Sequence, residues 1–206
     1  MTNTPSKQTS SLTYYHAPHS RSSSGVWLLE ELGVPYQVEI VDIRGQGGVP
    51  EAYRRIHPNK KVPALAHEGV VITESSAIAI YLGDTFGSDE VAPKPGDARR
   101  GPYLKWQVWA SSVFDPCVTA KLTGWEYDPS AVSFGSFADL ERHLDETLAA
   151  SPYLLGDAFT LADLRLAANL GWVMHFGLFA DRPRFAEYVA RVTARPSYAR
   201  YLEKGG

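Results

Sequence analysis

The sequence predicts an α/β domain followed by an all-helical domain, and three observations predict it. Strand-like runs, alternating or rich in β-branched residues, all lie before residue 88. A segment punctuated by proline and glycine, Val91-Ala92-Pro93-Lys94-Pro95-Gly96, then breaks the pattern. After Asp97 the apolar residues recur only at helical spacing. The 206 residues suffice for two small domains with a real core.

Taken in order, residues 1–11 are rich in Ser, Thr and Gln without an apolar centre, which reads as a flexible tail and not a signal peptide. Leu12-Thr13-Tyr14-Tyr15-His16 is the first strand, ended by Ala17-Pro18. Ser20 to Ser24 lead into a helix over Val26–Leu32, closed by Gly33 and stopped by Pro35. Tyr36–Val41 alternates and reads as a second strand, parallel to the first through the helical crossover. A loop over Gly45–Gly48 precedes a short helix near Glu51–Ile56. Val62-Pro63 then introduces Ala64-Leu65-Ala66, His67-Glu68-Gly69 turns the chain, and Val70-Val71-Ile72 returns, with the spacing of a hairpin. Proline has no amide for a ladder, so Pro63 belongs at a strand's first residue, on an edge or in a turn, and a cis bond is accessible there. That geometry leaves the Val62 amide and carbonyl free to pair with an extended peptide. Thr73-Glu74-Ser75 starts a helix that runs to about Phe86, and a helix N-terminus with a serine beside it binds anions. The β-α-β-α-β-β-α order is that of a thioredoxin-like domain over residues 12–87, with 88–96 as linker and 97–206 as the helical domain.

In the helical part Asp97 can cap the next helix, where Tyr103, Trp106, Gln107, Ala110, Val113 and Phe114 fall at helical spacing. Further helices are expected over 133–149, 160–176, 183–194 and 197–204. Thr160-Leu161-Ala162-Asp163 has the spacing of a capping box, with Phe159 placed to staple onto Leu164. That helix is rich in Leu and Ala and is expected at the centre of the second core.

Composition narrows the function. A net charge of -3 gives nucleic-acid binding no electrostatic support. No apolar run approaches the roughly 20 residues that span a bilayer, so no membrane partner is expected. The single cysteine, Cys117, excludes an internal disulfide framework and fits a reducing, cytoplasmic compartment. It lies in the helical part, away from any strand-to-helix loop, which removes a Cys-x-x-Cys oxidoreductase and leaves Cys117 as a packed apolar residue. The six histidines show no ligand spacing, so no metal is expected.

Four landmarks occur in order: Ala17-Pro18-His19-Ser20 after the first strand, the Val62-Pro63-Ala64-Leu65 strand start, the Glu74-Ser75 pair and the Phe159-Thr160-Leu161-Ala162-Asp163 box. With the α/β-then-helical layout they make the chain resemble a cytosolic glutathione S-transferase of bacterial type, whose serine loop is most like the theta and delta classes. The resemblance implies glutathione as co-substrate, a site for a small hydrophobic electrophile between the domains, a homodimer, and a role in detoxification.

Conjugation needs a thiolate. A cysteine thiol of pKa about 8.5 is ionised by only a few per cent at neutral pH. Lowering it by about two units takes roughly 2.7 kcal/mol of selective anion stabilisation. A hydrogen bond to a charged group supplies about 1.5–3 kcal/mol and a helix N-terminus about 0.3–1. One hydroxyl at a helix start therefore meets most of the requirement. Ser20 matches the serine of the theta and delta loop; Arg21, Ser22 and Ser23 are alternates, and simple capping of the first helix is the competing role. By the same resemblance Val62, beside Pro63, would pair with the cysteinyl backbone. Glu74 would take the γ-glutamyl ammonium, Ser75 its carboxylate, and Lys60 the glycine carboxylate, although Lys60-Lys61 departs from the commoner Gly-Lys and leaves the choice of lysine open. Tyr14 and Tyr15 lie too early for a catalytic tyrosine and are expected in the core. Tyr103, Trp106, Trp109, Phe114 and Trp172 are candidates for the electrophile pocket, with core or dimer-interface packing as the competing role. Two other functions share this sequence pattern: a glutathione-dependent peroxidase or disulfide-bond reductase, and a non-catalytic ligand-binding or regulatory protein.

Overall fold

The structure, a computed structural model, describes residues 12–179 and 181–204; the tail expected over residues 1–11 lies outside the described residues. The α/β part comprises β1 (Thr13–His16), α1 (Ser23–Leu32), β2 (Gln37–Ile40), a 3₁₀ turn (Glu51–Arg55), β3 (Ala64–His67), β4 (Val70–Thr73) and α2 (Ser75–Phe86). The four strands form one mixed sheet in the order β2-β1-β3-β4. β1 runs parallel to β2, with Thr13 opposite Gln37, and β3 is antiparallel to both β1 and β4.

Side-chain alternation decides which helix each face meets. Tyr14 and Leu65 stand opposite each other and point into the core with Val26 and Leu29 of α1 and Ile78 and Leu82 of α2. Tyr15 and Ala64, one residue along, point to the other face and a smaller cluster with Val41 and Val49. The loop between β3 and β4 is the pair Glu68-Gly69, with φ of 50° and 80°, a type I′ turn matched to the twist of a hairpin. The Val62-Pro63 bond is cis. β2 forms parallel to β1 as expected, although Val38 is 40% and Ile40 60% exposed. β2 is an edge strand, and only the flanking Val41 reaches the core.

The helical part comprises α3 (Arg100–Trp109), a π-helical turn (Ala110–Phe114), α4 (Asp115–Thr123), a 3₁₀ turn (Pro129–Ala131), α5 (Phe137–Ala150), α6 (Leu161–His175), α7 (Pro183–Thr193) and α8 (Pro196–Glu203). α3 passes into α4 without a break in the chain of helical residues. Pro116 accounts for the π turn: it offers no N–H to the Ser112 carbonyl and its ring crowds that carbonyl, so the helix admits a wider turn just before it. The expected capping box forms at Thr160 and Asp163, and α6 is buried over most of its length.

A single apolar cluster runs from Leu12 of the α/β part to Val192 of α7. Trp27 of α1 is packed edge-on against Tyr198 of α8 at 4.8 Å, and its indole N–H donates to Ser197 at 3.0 Å. No helix among the described residues is long and apolar enough to cross a membrane.

Candidate active site

The loop between β1 and α1 is folded back on itself by its own serines. The Ser20 hydroxyl donates to the Ala17 carbonyl at 2.8 Å, lies 2.7 Å from the Ser22 hydroxyl oxygen, and accepts the Ser22 N–H at 3.1 Å. Ser22 is fully buried; its oxygen accepts the Ala17 N–H at 3.1 Å and stands 2.7 Å from Nδ1 of His16. From outside, the Arg44 guanidinium donates to the carbonyls of Pro18 and His19, at 3.0 and 2.8 Å. From inside, the Tyr14 hydroxyl donates to the Ser22 carbonyl at 2.7 Å. Burial pulls the His16 imidazole down to about 4, with His19 adding to the effect, so the ring is neutral at neutral pH.

Gly25 is what lets Tyr14 reach the loop. A Cβ at this position would lie 1.9 Å from the Tyr14 hydroxyl oxygen. Gly25→Ala should therefore displace Tyr14 from Ser22 and cost about 1–3 kcal/mol by overpacking. Urea denaturation of the full chain checks this, and an unchanged midpoint would show that Tyr14 can move aside at no cost.

Beside the serine loop runs a groove of about 240 Å³ lined by Val62, Pro63, Glu74 and Ser75, together with Arg21, His57, Asn59, Lys61, Ser111 and Asp115. Neither the N–H nor the carbonyl of Val62 hydrogen-bonds a described residue, so the backbone edge before β3 is open. Glu74 immediately precedes α2 with φ 70°, a left-handed conformation that non-glycine residues seldom adopt. His19 in the serine loop and Lys60 in the hollow beside the groove also have positive φ, at 54° and 51°. The first N–H groups of α2 have no partner inside the helix, which makes the Ser75 end suited to an anion.

The groove is held from below by the helical part. Arg165 of α6, buried, donates from Nη1 to the Ser75 carbonyl at 2.5 Å and from Nη2 to the Ser111 hydroxyl at 3.2 Å. Ser111 lies in the π turn and also meets the Ser76 hydroxyl at 2.7 Å. Burial lowers the Arg165 pKa, while Asp115 opposes that shift. Burial likewise raises the Asp115 carboxyl, and Arg21 and Arg165 pull it back.

On the other side of the loop lies a cavity of about 450 Å³ between the two parts of the chain. Phe114, Trp172, Phe176, Tyr198 and Tyr201 supply aromatic wall; Ser20, Ser23 and Asn169 also line it, with the Ser23 hydroxyl and the Asn169 amide nitrogen buried. Arg21 stands between cavity and groove and lines both. Its Nε is 3.2 Å from the Asp115 carboxylate, its Nη2 donates to Thr119 at 2.9 Å, and its guanidinium sits 5.4 Å from the Trp172 ring centre.

Of the residues singled out in the sequence, Ser20 and Ser23 face the apolar cavity, Arg21 spans cavity and groove, and Ser22 is sealed behind the loop. Val62, Pro63, Glu74 and Ser75 come together in the groove. Lys60 lies in an adjoining hollow, paired with Glu51 at 3.3 Å, whereas Lys61 borders both that hollow and the groove. Phe114 and Trp172 line the cavity; Tyr103, Trp106 and Trp109 do not. Tyr103 is buried in the core, and Trp106 packs on Trp109 at 5.2 Å and on His143 at 5.2 Å. Tyr14 and Tyr15 are core residues, and Cys117 is buried. Sequence reasoning passed over Asp115, Arg165 and the Tyr198–Tyr201 pair. An arginine alone in the apolar run of α6 was the available signal for the second; nothing local marked the others.

A thioredoxin-like unit carrying an open peptide edge, followed by a helical bundle that closes an apolar cavity over it, is the architecture of glutathione-dependent transferases. The chain belongs to the glutathione S-transferase family: residues 22–85 match the family's N-terminal domain and residues 131–191 its C-terminal domain. It is a glutathione S-transferase, with glutathione as co-substrate. A glutathione S-transferase of Nicotiana tabacum is 31% identical over 193 residues, which cover 85% of this chain and 89% of that protein. Glutathione S-transferase 3 of Schizosaccharomyces pombe is 30% identical over 171 residues, 74% and 70% of the two chains. Among solved structures, a sphingomonad glutathione S-transferase complexed with glutathione superimposes with a TM-score of 0.78 at 26% identity, covering 94% of this chain and 98% of that one.

Proposed function

We propose that the protein activates the glutathione thiol through Ser20 and adds it to a small hydrophobic electrophile held in the aromatic cavity. The observation that carries the reading is the position of the Ser20 hydroxyl, in a loop that leads into α1 and borders the cavity, beside a groove that offers an open backbone at Val62. In this reading Val62 pairs with the cysteinyl backbone, and Ser75 with the N-terminus of α2 binds the γ-glutamyl carboxylate. Glu74 takes the ammonium, and Lys60 or Lys61 receives the glycine carboxylate. The full burial of Ser22 favours Ser20 over it as the direct partner. Phe114 and Trp172 are the electrophile-side contacts among the five aromatics considered, joined by Phe176, Tyr198 and Tyr201.

The working unit in this proposal has residues 12–87 as the glutathione-binding domain, 88–96 as linker and 97–206 as the helical domain. It is a cytoplasmic homodimer with a detoxifying role. Exposed Val70 and Val71 on the edge strand β4 and Val108 on α3 support a second copy as partner. The single cysteine, Cys117, is buried, which is in keeping with the compartment.

Steady-state turnover decides among the readings. With glutathione, a chromogenic halonitrobenzene should be conjugated faster than an organic hydroperoxide or a glutathione mixed disulfide is reduced. The reverse order would make the protein a peroxidase or disulfide reductase. Glutathione binding without turnover of any of these would make it a non-catalytic carrier.

A further inference from the structure

We propose that His16 and Ser22 form a buried hydrogen-bond relay behind Ser20 that keeps its proton aimed at the glutathione sulfur, which makes both of them positioning residues for thiol activation. The inference rests on the reading of Ser20 as the thiol's partner.

The geometry is a line of short contacts: His16 Nδ1 to Ser22 Oγ at 2.7 Å, then Ser22 Oγ to Ser20 Oγ at 2.7 Å. Ser22 is 0% and His16 5% exposed, so both lie behind the surface that Ser20 presents. Counting protons gives the line a direction. A serine hydroxyl accepts two hydrogen bonds and donates one. The Ala17 N–H fills one acceptor position on Ser22 at 3.1 Å. With His16 carrying its proton on Nδ1, that N–H fills the second, and the Ser22 proton is left to donate. Ser20 Oγ at 2.7 Å is a closer acceptor than the Ala17 carbonyl at 3.2 Å. Ser20 then accepts from both the hydroxyl and the N–H of Ser22, the latter at 3.1 Å. Both acceptor positions of Ser20 are used, and its own proton can only be given away.

In the free protein that proton goes to the Ala17 carbonyl at 2.8 Å. An anionic sulfur is a stronger acceptor than a neutral carbonyl, so the hydroxyl turns to it when the thiolate forms. The opposite direction, with Ser20 donating to Ser22 and Ser22 to His16, would spend the Ser20 proton inward. Donor chains strengthen each member in a low-dielectric site, so a neutral imidazole at the buried end makes Ser20 a better donor at the exposed end. Burial holds His16 in that neutral form; His19 is the titratable group nearest it in effect, and the Tyr14 ring lies 6.3 Å from its own.

The test uses the full chain with Ser22→Ala, His16→Phe and His16→Asn, and with Ser20→Ala as reference. It reads the pKa of the enzyme-bound thiol from ultraviolet thiolate absorbance and the pH profile of kcat/KM. Strengthening of ~10–30% per bond predicts that Ser22→Ala and His16→Phe each raise the thiol pKa by about 0.5 unit and lower kcat/KM on the acid side about threefold, with little change in KM for glutathione. His16→Asn, whose amide N–H can stand in for Nδ1–H, should recover most of the loss. A wild-type thiol pKa in folded His16→Phe would reduce the cluster to a brace for the loop and overturn the proposal, as would equal losses in His16→Phe and His16→Asn. The His16 pair decides the matter even if Ser22→Ala does not fold. Loss of the effect in Ser20→Ala itself, with its thiol pKa unchanged, would instead remove the reading of Ser20 on which the relay depends.

Discussion

Ser20→Ala should lower turnover with a halonitrobenzene by at least about tenfold at neutral pH, and the loss should come from the thiol and not from binding. A hydrogen bond to a charged acceptor contributes about 1.5–3 kcal/mol, which corresponds to about one to two units of thiol pKa. The thiolate fraction falls by the same factor wherever the pH lies below the new value. The substitution removes one oxygen from a half-buried loop whose backbone is still held by Arg44 and Tyr14, so the groove at Val62 and Ser75 should bind glutathione much as before. Absorbance of the bound thiolate across a pH titration measures the shift directly. If the thiol pKa stays put while turnover falls, the hydroxyl acts on the electrophile or its leaving group. If neither changes, Arg21, whose side chain is exposed where the hydroxyls of Ser22 and Ser23 are buried, takes the role.

Asp163→Ala should be the most destabilising single substitution of a polar residue in the helical part, by about 3–5 kcal/mol. Asp163 is fully buried. Its Oδ1 accepts the Leu154 N–H at 2.7 Å and the Tyr188 hydroxyl at 3.0 Å; its Oδ2 accepts the Thr160 N–H at 2.8 Å and the Thr160 hydroxyl at 3.0 Å. Removing the carboxylate strands three donors and leaves the Tyr188 hydroxyl only its longer bond to the Asp163 backbone carbonyl at 3.3 Å, and each buried unsatisfied group costs about 1–3 kcal/mol before relaxation or a trapped water recovers part of it. The helix that loses its cap is α6, which carries Arg165 to the groove. For a chain of this size the loss corresponds to a fall in Tm of about 2–4 °C per kcal/mol. Asp163→Asn keeps one acceptor oxygen and should lose less. A Tm for Asp163→Ala within about 2 °C of wild type would mean that the box is dispensable once α6 is packed.

The residues that could be read ahead of the structure are those whose chemistry is local. Pro63, Gly33, the Glu68-Gly69 turn and the Thr160–Asp163 box each act on neighbours within a few positions, so their spacing is sufficient information. The groove could be read for the same reason, because Val62, Glu74 and Ser75 sit at the end of a strand and the start of a helix. The cavity could not. Helical periodicity states that Trp106, Trp109 and Phe114 share a helix, but whether a face meets protein or a hollow depends on what comes to lie opposite it. The π turn shifts the register between Trp109 and Asp115, so periodicity carried straight through misplaces the later side chains. β2 shows the converse: a clean alternation in sequence, with no layer to cover it. Arg165 and His16 act through contacts with residues that only the fold brings near.

Arg165 also bears on how such a protein can change over generations. Its guanidinium grips the start of α2 from a helix 90 residues further along, and one apolar cluster fills the seam between the two parts. Exchange of the C-terminal half with that of a relative would therefore alter the peptide groove even though every groove residue at the Val62 and Glu74 end came from the original gene. New electrophile preferences can arise by drift in the cavity wall at Trp172, Phe176 and Tyr198, none of which supports α2. Shuffling of whole halves should succeed only between lineages that hold in common the arginine, its serine partners and the tryptophan–serine clasp between α1 and α8.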